Sequence, residues 1–157
     1  MSGPVPIIRR AIPADAAAIA ELWLRSWAVA LPTVTRAHDD DDVRAYTRDV
    51  LMPNHATWVV VLEPHSPEAV VGFMVLGDGW IEQLYLEPEY IGRGLGADFV
   101  AFAKEQRPAG LQLWTFAVNA SARRFYARQG FAEVEETDGA TNEEREADVR
   151  LVWHPQT

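Results

Sequence analysis

Glycines are concentrated in one short segment of the chain, residues 90–97, which reads YIGRGLGA. Because glycine lacks a Cβ, such a segment turns tightly and lets its backbone approach a ligand closely. The surrounding pattern predicts a strand before the segment and a helix after it. The free N–H groups in the first turn of that helix point at one spot beside its positive end, which is a geometry that binds phosphate. We therefore expect a phosphate-binding loop, to which Arg93 adds a charge-assisted contact.

Two other interpretations of this glycine segment are dinucleotide binding and an ordinary turn without a ligand. The spacing Gly92-x-Gly94-x-x-Ala97 satisfies the dinucleotide fingerprint. That fingerprint normally opens the first βαβ unit and expects an acidic residue about 20 positions later. Here residues 116–119 read FAVN, and about 90 residues precede the loop. An ATP-type P-loop is excluded because no Lys-Ser or Lys-Thr pair follows the glycines.

A second segment places two polar side chains on one face of a predicted helix. Asn119 and Tyr126 are seven residues apart, which is two helical turns, so both lie on the same side. Taken separately, Asn119 is typical of a helix N-cap and Tyr126 of a core aromatic residue. Their shared face makes a common ligand the alternative interpretation.

In this order, the two segments resemble the GNAT superfamily of acetyl-CoA-dependent N-acetyltransferases. The first family motif is Gln/Arg-x-x-Gly-x-Gly/Ala after a strand that ends apolar-x-apolar-x-Pro. Here residues 84–88 read LYLEP and residues 91–96 read IGRGLG, so Ile91 replaces the usual side-chain donor and leaves the backbone cradle. The second family motif, Asn-x-x-Ala followed by an aromatic pair and Gly-Phe, matches Asn119, Ala122, Phe125, Tyr126, Gly130 and Phe131.

The resemblance implies an α/β (α+β) fold, with a mixed central sheet of about seven strands flanked by about four helices. It covers nearly the whole chain, so residues 1–157 are expected to form a single N-acetyltransferase domain. The implied reaction is transfer of an acetyl group from acetyl-CoA to a primary amine, by direct attack in a ternary complex. The alternative is an acyl-CoA-binding regulatory module without turnover.

The resemblance also implies where the coenzyme binds. The pyrophosphate is expected on the amides of residues 92–97, and the pantetheine arm on the strand Trp80–Glu87, in a gap between this strand and Leu111–Val118. The cofactor-binding residues implied in this way are Leu84, Tyr85, Leu86, Ile91, Gly92, Arg93, Gly94, Leu95, Gly96, Ala97 and Asn119.

For catalysis we expect one proton acceptor and one proton donor. An ammonium group with a pKa near 10 must lose a proton before it attacks a thioester, and a carboxylate is the usual acceptor. Glu82 is the candidate, because strand alternation places it on the same face as Leu84 and Leu86. Tyr126 is expected to protonate the leaving thiolate. Candidate contacts for the amine substrate are Trp27, Trp80 and Trp114.

Seven strands and four helices are predicted to hold these residues in place. The predicted strands are Ile7–Ile12, Thr57–Leu62, Ala69–Leu76, Trp80–Glu87, Leu111–Val118, Phe131–Glu136 and Asp148–Trp153. Asp15 is expected to cap the first helix, and residues 39–42 to form the acidic N-terminus of the second. The apolar stripe of the second helix is expected to be Val43, Tyr46, Val50 and Leu51. The third helix follows the glycine segment, and Asn119 caps the fourth.

Length and composition fit this interpretation. The 157 residues, 48% of them hydrophobic, suit one domain. The absence of cysteine excludes a disulfide scaffold and a cysteine nucleophile. The four histidines, at positions 38, 55, 65 and 154, lack a ligand spacing such as HExxH, so no metal is expected.

The formal net charge of −9 makes nucleic acid a poor partner and weakly favours a cationic substrate, although solubility alone also explains it. No apolar run reaches the ~18 residues of a membrane span, and no secretory signal is visible, so we expect a soluble cytoplasmic protein without a membrane partner. The partner is then a small-molecule or peptide amine. A homodimer is compatible with the resemblance.

Overall fold

The structure is a computed structural model that describes residues 5–63 and 70–156. Within these residues lie seven strands: β1 (Val5–Arg10), β2 (Ala56–Glu63), β3 (Val70–Leu76), β4 (Ile81–Leu86), β5 (Leu111–Phe116), β6 (Ala132–Thr137) and β7 (Asp148–Trp153). Four α-helices of seven or more residues lie in the same ranges: α1 (Ala16–Ala30), α2 (Asp40–Tyr46), α3 (Leu95–Gln106) and α4 (Ala120–Arg128). Each strand lies within two residues of its predicted position. Ala69, the predicted start of the third strand, and His65 lie outside the described residues.

The strands form two antiparallel sheets, in the orders β1-β2-β3-β4 and β5-β7-β6. Between the two sheets, the described residues form a single parallel bridge, from Trp80 to Gln112. The amide of Gln112 donates to the carbonyl of Gly79 at 2.9 Å beside this bridge. Beyond it, β4 and β5 belong to separate ladders. The expected mixed sheet is therefore present as two antiparallel halves, and β4 and β5 border a gap between them.

Helices cover both faces of the first sheet because its central strands are apolar on both sides. β3 is buried along its whole length. On one face, Val59 packs with Ile19 and Leu22 of α1. On the other face, Val60 packs with Phe99 of α3. Alternate residues of one strand thus fix α1 and α3 on opposite sides of the sheet.

Asp15 is the N-cap residue of α1, as predicted, but its side chain forms no capping hydrogen bond with the helix. It lies in a 3-10 turn, Pro13–Asp15, and its buried carboxylate accepts a hydrogen bond from the amide of Ile12 at 2.9 Å. The same carboxylate forms two bonds with the Arg9 guanidinium, at 2.8 and 3.0 Å. The Asp15 carboxylate therefore closes the turn that precedes the helix, and it does not accept a hydrogen bond from the first helical turn.

The second helix begins as predicted and then changes its pitch. The Asp39 side chain accepts a hydrogen bond from the amide of Asp42 at 2.8 Å and so caps α2. A π-helical turn, Thr47–Leu51, follows, and a single α-helical turn, Met52–Asn54, ends the segment. A π turn shifts the later side chains around the axis. Leu51, at the end of the π turn, and Val43, before it, are buried, whereas Tyr46 and Val50 of the predicted stripe are each 39% exposed.

Over residues 5–63 and 70–156, no helix combines the length and the apolar character that crossing a membrane requires.

Candidate active site

A cleft of about 840 Å³ opens between β4 and β5. One wall is β4, the opposite wall is β5, and the glycine segment and α4 close its sides. This gap exists because the two strands share only the bridge at Trp80. The cleft therefore brings together the two sequence segments that carried the predicted chemistry.

The glycine segment adopts a backbone that requires glycine at two positions. Gly92 and Gly94 have φ angles of +84° and +87°, which lie in the left-handed region that residues with a Cβ rarely occupy. Gly94 is the N-cap of α3, and the first hydrogen bond that follows it runs from the Asp98 amide to the Gly94 carbonyl at 3.0 Å. The amides of residues 95–97 precede this bond, so they are free donors at the positive end of the helix.

Gly96 has a different role, because a Cβ on it would lie 3.0 Å from the Phe125 ring. Its lack of a side chain lets α3 approach α4 closely beside the cleft. The third glycine of the motif thus serves helix packing rather than chain reversal.

Most of the predicted cofactor residues line the cleft. Those that line it are Leu84, Tyr85, Leu86, Ile91, Gly92, Gly94, Gly96, Ala97 and Asn119. The Leu95 side chain instead belongs to the buried core, and it contributes only its backbone to the loop. The Arg93 guanidinium lies 5.1 Å above the ring of Tyr90, outside the residues that line the cleft.

Asn119 is both a helix cap and part of the cleft wall. Its side-chain oxygen accepts a hydrogen bond from the Ala122 amide at 3.1 Å, as expected for an N-cap. The sequence suggested either a helix cap or a ligand contact for Asn119. The two roles are compatible, since capping fixes the side chain where the cleft begins.

Tyr126 is buried, with 8% of its surface exposed, and it lines the cleft. The rings of Phe125 and Phe131 pack against it edge-on, with centroids at 5.0 and 5.5 Å. Burial raises the pKa of its phenol above the ordinary value of 10, and the nearby Tyr85 adds to the effect. The phenol is therefore protonated at neutral pH and available as a proton donor.

Tyr85 has a similar environment on the opposite wall. Burial raises its pKa to about 12, and the negative charge of Glu144 contributes. Its ring stacks on those of Phe73 and Trp23, with centroids at 5.6 and 6.1 Å. Two protonated phenols thus face the cleft at neutral pH.

Glu82 lines the cleft at a strand irregularity. The pairing of β3 with β4 shifts by one residue, so that Leu76 faces Ile81 while Val75 faces Gln83. Ile81 consequently packs in the same buried cluster as Leu84 and Leu86. Simple strand alternation, which would place Glu82 on the face of these two leucines, therefore does not hold at this position. The Glu82 carboxylate lies 3.6 Å from Nδ1 of His55, and 43% of its side chain is exposed.

The three predicted substrate tryptophans lie in different places. Trp114 lines the cleft on β5. Trp27 lines a second, adjoining cavity instead, and its indole N–H donates to the Val34 carbonyl at 3.1 Å. Trp80 forms the bridge at the closed end of the gap and lines neither cavity.

The second cavity has a volume of about 330 Å³ and was missed by sequence reasoning. Gln83 and Glu144 line both cavities, so the two spaces adjoin. Gln83 had no distinguishing signal, since it directly follows the polar Glu82 in β4. Glu144 had none either, because only the folded chain brings the connection between β6 and β7 to β4.

No three His, Asp or Glu side chains in the described part of the chain come together in a way that could hold a metal ion.

Comparisons with known proteins agree with this geometry. A family model described as "Acetyltransferase (GNAT) domain" matches residues 53–133, which is slightly more than half of the chain. The chain is 29% identical over 129 residues to "Peptidyl-lysine N-acetyltransferase YjaB" of Salmonella typhimurium, a match that covers 79% of this chain and 81% of that protein.

Solved structures give the same fold. Apo-form YjaB from Escherichia coli superposes with a TM-score of 0.79 at 22% identity, over 97% of this chain and 99% of that one. The PaiA N-acetyltransferase from Thermoplasma acidophilum, solved in complex with coenzyme A, gives a TM-score of 0.72 at 17% identity, over 96% and 99% of the two chains. With its split between β4 and β5, its glycine loop and the family model that spans them, the chain belongs to the GNAT acetyltransferase family.

Proposed function

We propose that the protein transfers an acetyl group from acetyl-CoA to a primary amine, by direct attack in a ternary complex. One observation carries the proposal: a single cleft holds a glycine-rich helix N-terminus at one end and a buried, protonated tyrosine in its wall. A carrier with a diphosphate and a thioester needs both features. The helix N-terminus binds the diphosphate, and the tyrosine protonates the thiolate that leaves.

The residues present fit this carrier. The free amides of residues 95–97, reached over the left-handed Gly92 and Gly94, suit the diphosphate. β4 is the edge strand of its sheet beyond Trp80, so its outer backbone groups are available to the amides of the pantetheine arm. The coenzyme would thus lie along β4 as a short additional strand.

The chemistry follows from the two titratable groups on the cleft walls. Glu82, directly or through a water, accepts a proton from the substrate ammonium. The neutral nitrogen then forms a C–N bond with the thioester carbonyl carbon, and the C–S bond breaks. Tyr126 hydrogen-bonds the departing sulfur and gives it a proton as the C–S bond breaks, and the second proton that the nitrogen loses as the amide forms restores the phenol. A backbone N–H near Leu86 steadies the developing oxyanion.

The acceptor is proposed as a primary amine on chemical grounds and on one relative. The name of the Salmonella typhimurium protein specifies a peptidyl-lysine acceptor. A lysine side chain is a primary amine of the class that this cleft would take.

The test is a free-thiol assay with acetyl-CoA and a panel of primary amines, paired with mass spectrometry of the products. We expect amine-dependent thiol release and a product heavier by one acetyl group. Glu82→Gln should lower kcat at neutral pH, since it removes the proton acceptor while keeping the side-chain shape. If coenzyme A binds but no amine releases thiol, the chain is a coenzyme-binding module without turnover.

A further inference from the structure

The second cavity adjoins the cleft at Gln83 and Glu144, which line both spaces. It is enclosed by α1, α2, β4 and the connection between β6 and β7, and it holds about 330 Å³. We call it the aromatic chamber, because rings of Trp23, Trp27 and Tyr46 line it. Trp23 and Tyr46 meet edge-on at 6.2 Å. Faces of such rings attract a cation through their quadrupole.

Carboxylates also line this chamber in excess over cations. The lining contains Asp42, Glu143 and Glu144 against the guanidinium of Arg36 and the imidazole of His38. Both of these basic side chains already have a carboxylate partner. His38 Nε2 lies 2.9 Å from Glu143, and the Arg36 guanidinium pairs with Asp40. Among the described residues, no side chain bonds to the carboxylates of Asp42 and Glu144, so they leave unmatched negative charge at the aromatic walls.

One polar atom inside the chamber lining lacks a partner. The side-chain oxygen of Gln83 is buried and forms no hydrogen bond in the described part of the chain, whereas the buried indole N–H of Trp23 lies near the Tyr85 phenol. Buried polar groups are normally paired, and an orphaned one costs about 1–3 kcal/mol unless a ligand or water satisfies it. An orphaned acceptor at the junction of the two cavities is complementary to an N–H donor arriving there.

We infer that the acceptor carries a second cationic group, which binds in the aromatic chamber while its reacting amine lies beside Gln83 at the cleft. This inference rests on the proposed acetyl transfer and adds the substrate class. Asp42 and Glu144 supply the charge complement, and Trp23, Trp27 and Tyr46 supply the aromatic walls. The diamine class includes basic amino acids, short alkyl diamines and lysine beside a second positive charge.

The direct test compares matched amines. Thiol release is measured for linear diamines of three to six carbons and for monoamines of the same lengths. We expect at least one diamine to exceed its matched monoamine in kcat/KM by about tenfold or more, since a partly desolvated cation between rings and carboxylates gains about that factor. A diamine series that never exceeds the monoamines by more than about twofold would overturn the inference.

Charge-removing variants identify the residues responsible. Asp42→Asn and Glu144→Gln should each lower the diamine-to-monoamine ratio of kcat/KM several-fold, and the double variant should bring it close to one. Glu105→Gln on the exposed surface of α3 makes the same change in net charge outside both cavities. It should keep the wild-type ratio. An equal fall in the ratio for Glu105→Gln would mean that overall charge, rather than the chamber, selects the diamine.

A binding measurement separates this inference from the proposed reaction. In protein saturated with coenzyme A, the indole N–H resonance of Trp23, assigned by its loss in Trp23→Phe, should shift on adding the diamines and not on adding the monoamines. If thiol is released without any diamine preference or shift, the chamber inference fails alone. If the diamines shift the resonance but no amine releases thiol, the proposed transfer fails while the chamber still binds a dication.

Discussion

At the scale of single residues, the proposed reaction depends on a phenol that stays protonated and lies in the cleft wall. Tyr126 is held between Phe125 and Phe131, so its ring has little freedom, and burial raises its pKa. A rigid donor of this kind loses no orientation during the reaction. The same burial makes it useless as a base near neutral pH.

Replacing Tyr126 with phenylalanine tests this role. Tyr126→Phe keeps the packed ring and removes the hydroxyl, so kcat should fall by about 10²-fold or more, the usual range for one acid. The Kd for coenzyme A, measured by calorimetry, should change less than about threefold. Tyr90→Phe removes a hydroxyl outside both cavities and serves as the matched control. Wild-type turnover in Tyr126→Phe would exclude the phenol from the mechanism.

Tyr85 gives a prediction about pH. Its pKa is about 12 in the fold against an ordinary 10, so the folded state holds this proton more tightly than the unfolded state does. The contribution to stability is therefore complete below about pH 10 and is lost as the pH rises through about 12. Urea unfolding at pH 9 to 12 should show a shallower decline in the free energy of unfolding for Tyr85→Phe than for the wild type. Parallel declines would mean that Tyr85 titrates normally.

The glycine loop, Asn119 and Tyr126 could be predicted from residue types, because each belongs to a local motif with its own geometry, and the structure places them in the lining of the cleft. Gln83, Asp42 and Glu144 could not be found in this way. They come from three separate parts of the chain, and only tertiary packing places them around one chamber. Trp23 could not be assigned to the chamber from the sequence either. Its spacing from other apolar residues indicates the buried face of a helix, and this spacing is the same whether or not that face also borders a cavity.

At the scale of elements, the site depends on where regular structure is interrupted. The N-terminus of α3 begins from a left-handed Gly94, a shifted pairing in β4 alters the alternation around Glu82, and a π turn follows α2. The sequence predicted the strands and helices themselves from apolar periodicity. It could not predict the shifted pairing or the π turn, because these depend on which residues of a neighbouring element pack against them.

Gly94 provides the test of the loop. Gly94→Asn and Gly94→Asp have nearly the same shape and tolerate a left-handed backbone similarly, so they differ mainly in charge. We expect the Asp variant to bind coenzyme A at least about tenfold more weakly than the Asn variant, since one added negative charge near the diphosphate costs about 1–4 kcal/mol. Calorimetry gives both dissociation constants. Equal constants would place the diphosphate elsewhere.

The first turn of the chain offers a test of stability. The Asp15 carboxylate is desolvated by burial, yet its hydrogen bonds to Arg9 and to the Ile12 amide lower its pKa overall. A lowered pKa means that the stabilisation is present at neutral pH and is lost as the pH falls through the folded-state value. Asp15→Asn should lower the free energy of unfolding at pH 7 by roughly 2 kcal/mol. The difference from the wild type should shrink toward pH 3, and a constant difference would contradict this assignment.

At the scale of the whole molecule, two antiparallel sheets touch at one bridge, and the resulting gap is the site. The first sheet, with α1 and α3 packed on its two faces, holds β4 rigidly, while the second sheet carries β5 and leads into α4. The coenzyme loop, the two phenols and the aromatic chamber all lie along this division. In the proposed reaction, the carrier and the amine would meet at this division from opposite sides.

The most direct test is an NMR titration of the 15N-labelled protein with coenzyme A. The account predicts that the backbone amide signals of residues 92–97 move with saturation, together with those of β4, while Asp78 and Glu105 on other surfaces stay in place. Unmoved signals for residues 92–97 at saturating coenzyme A would contradict the proposed anchoring of the coenzyme, and with it the proposed reaction.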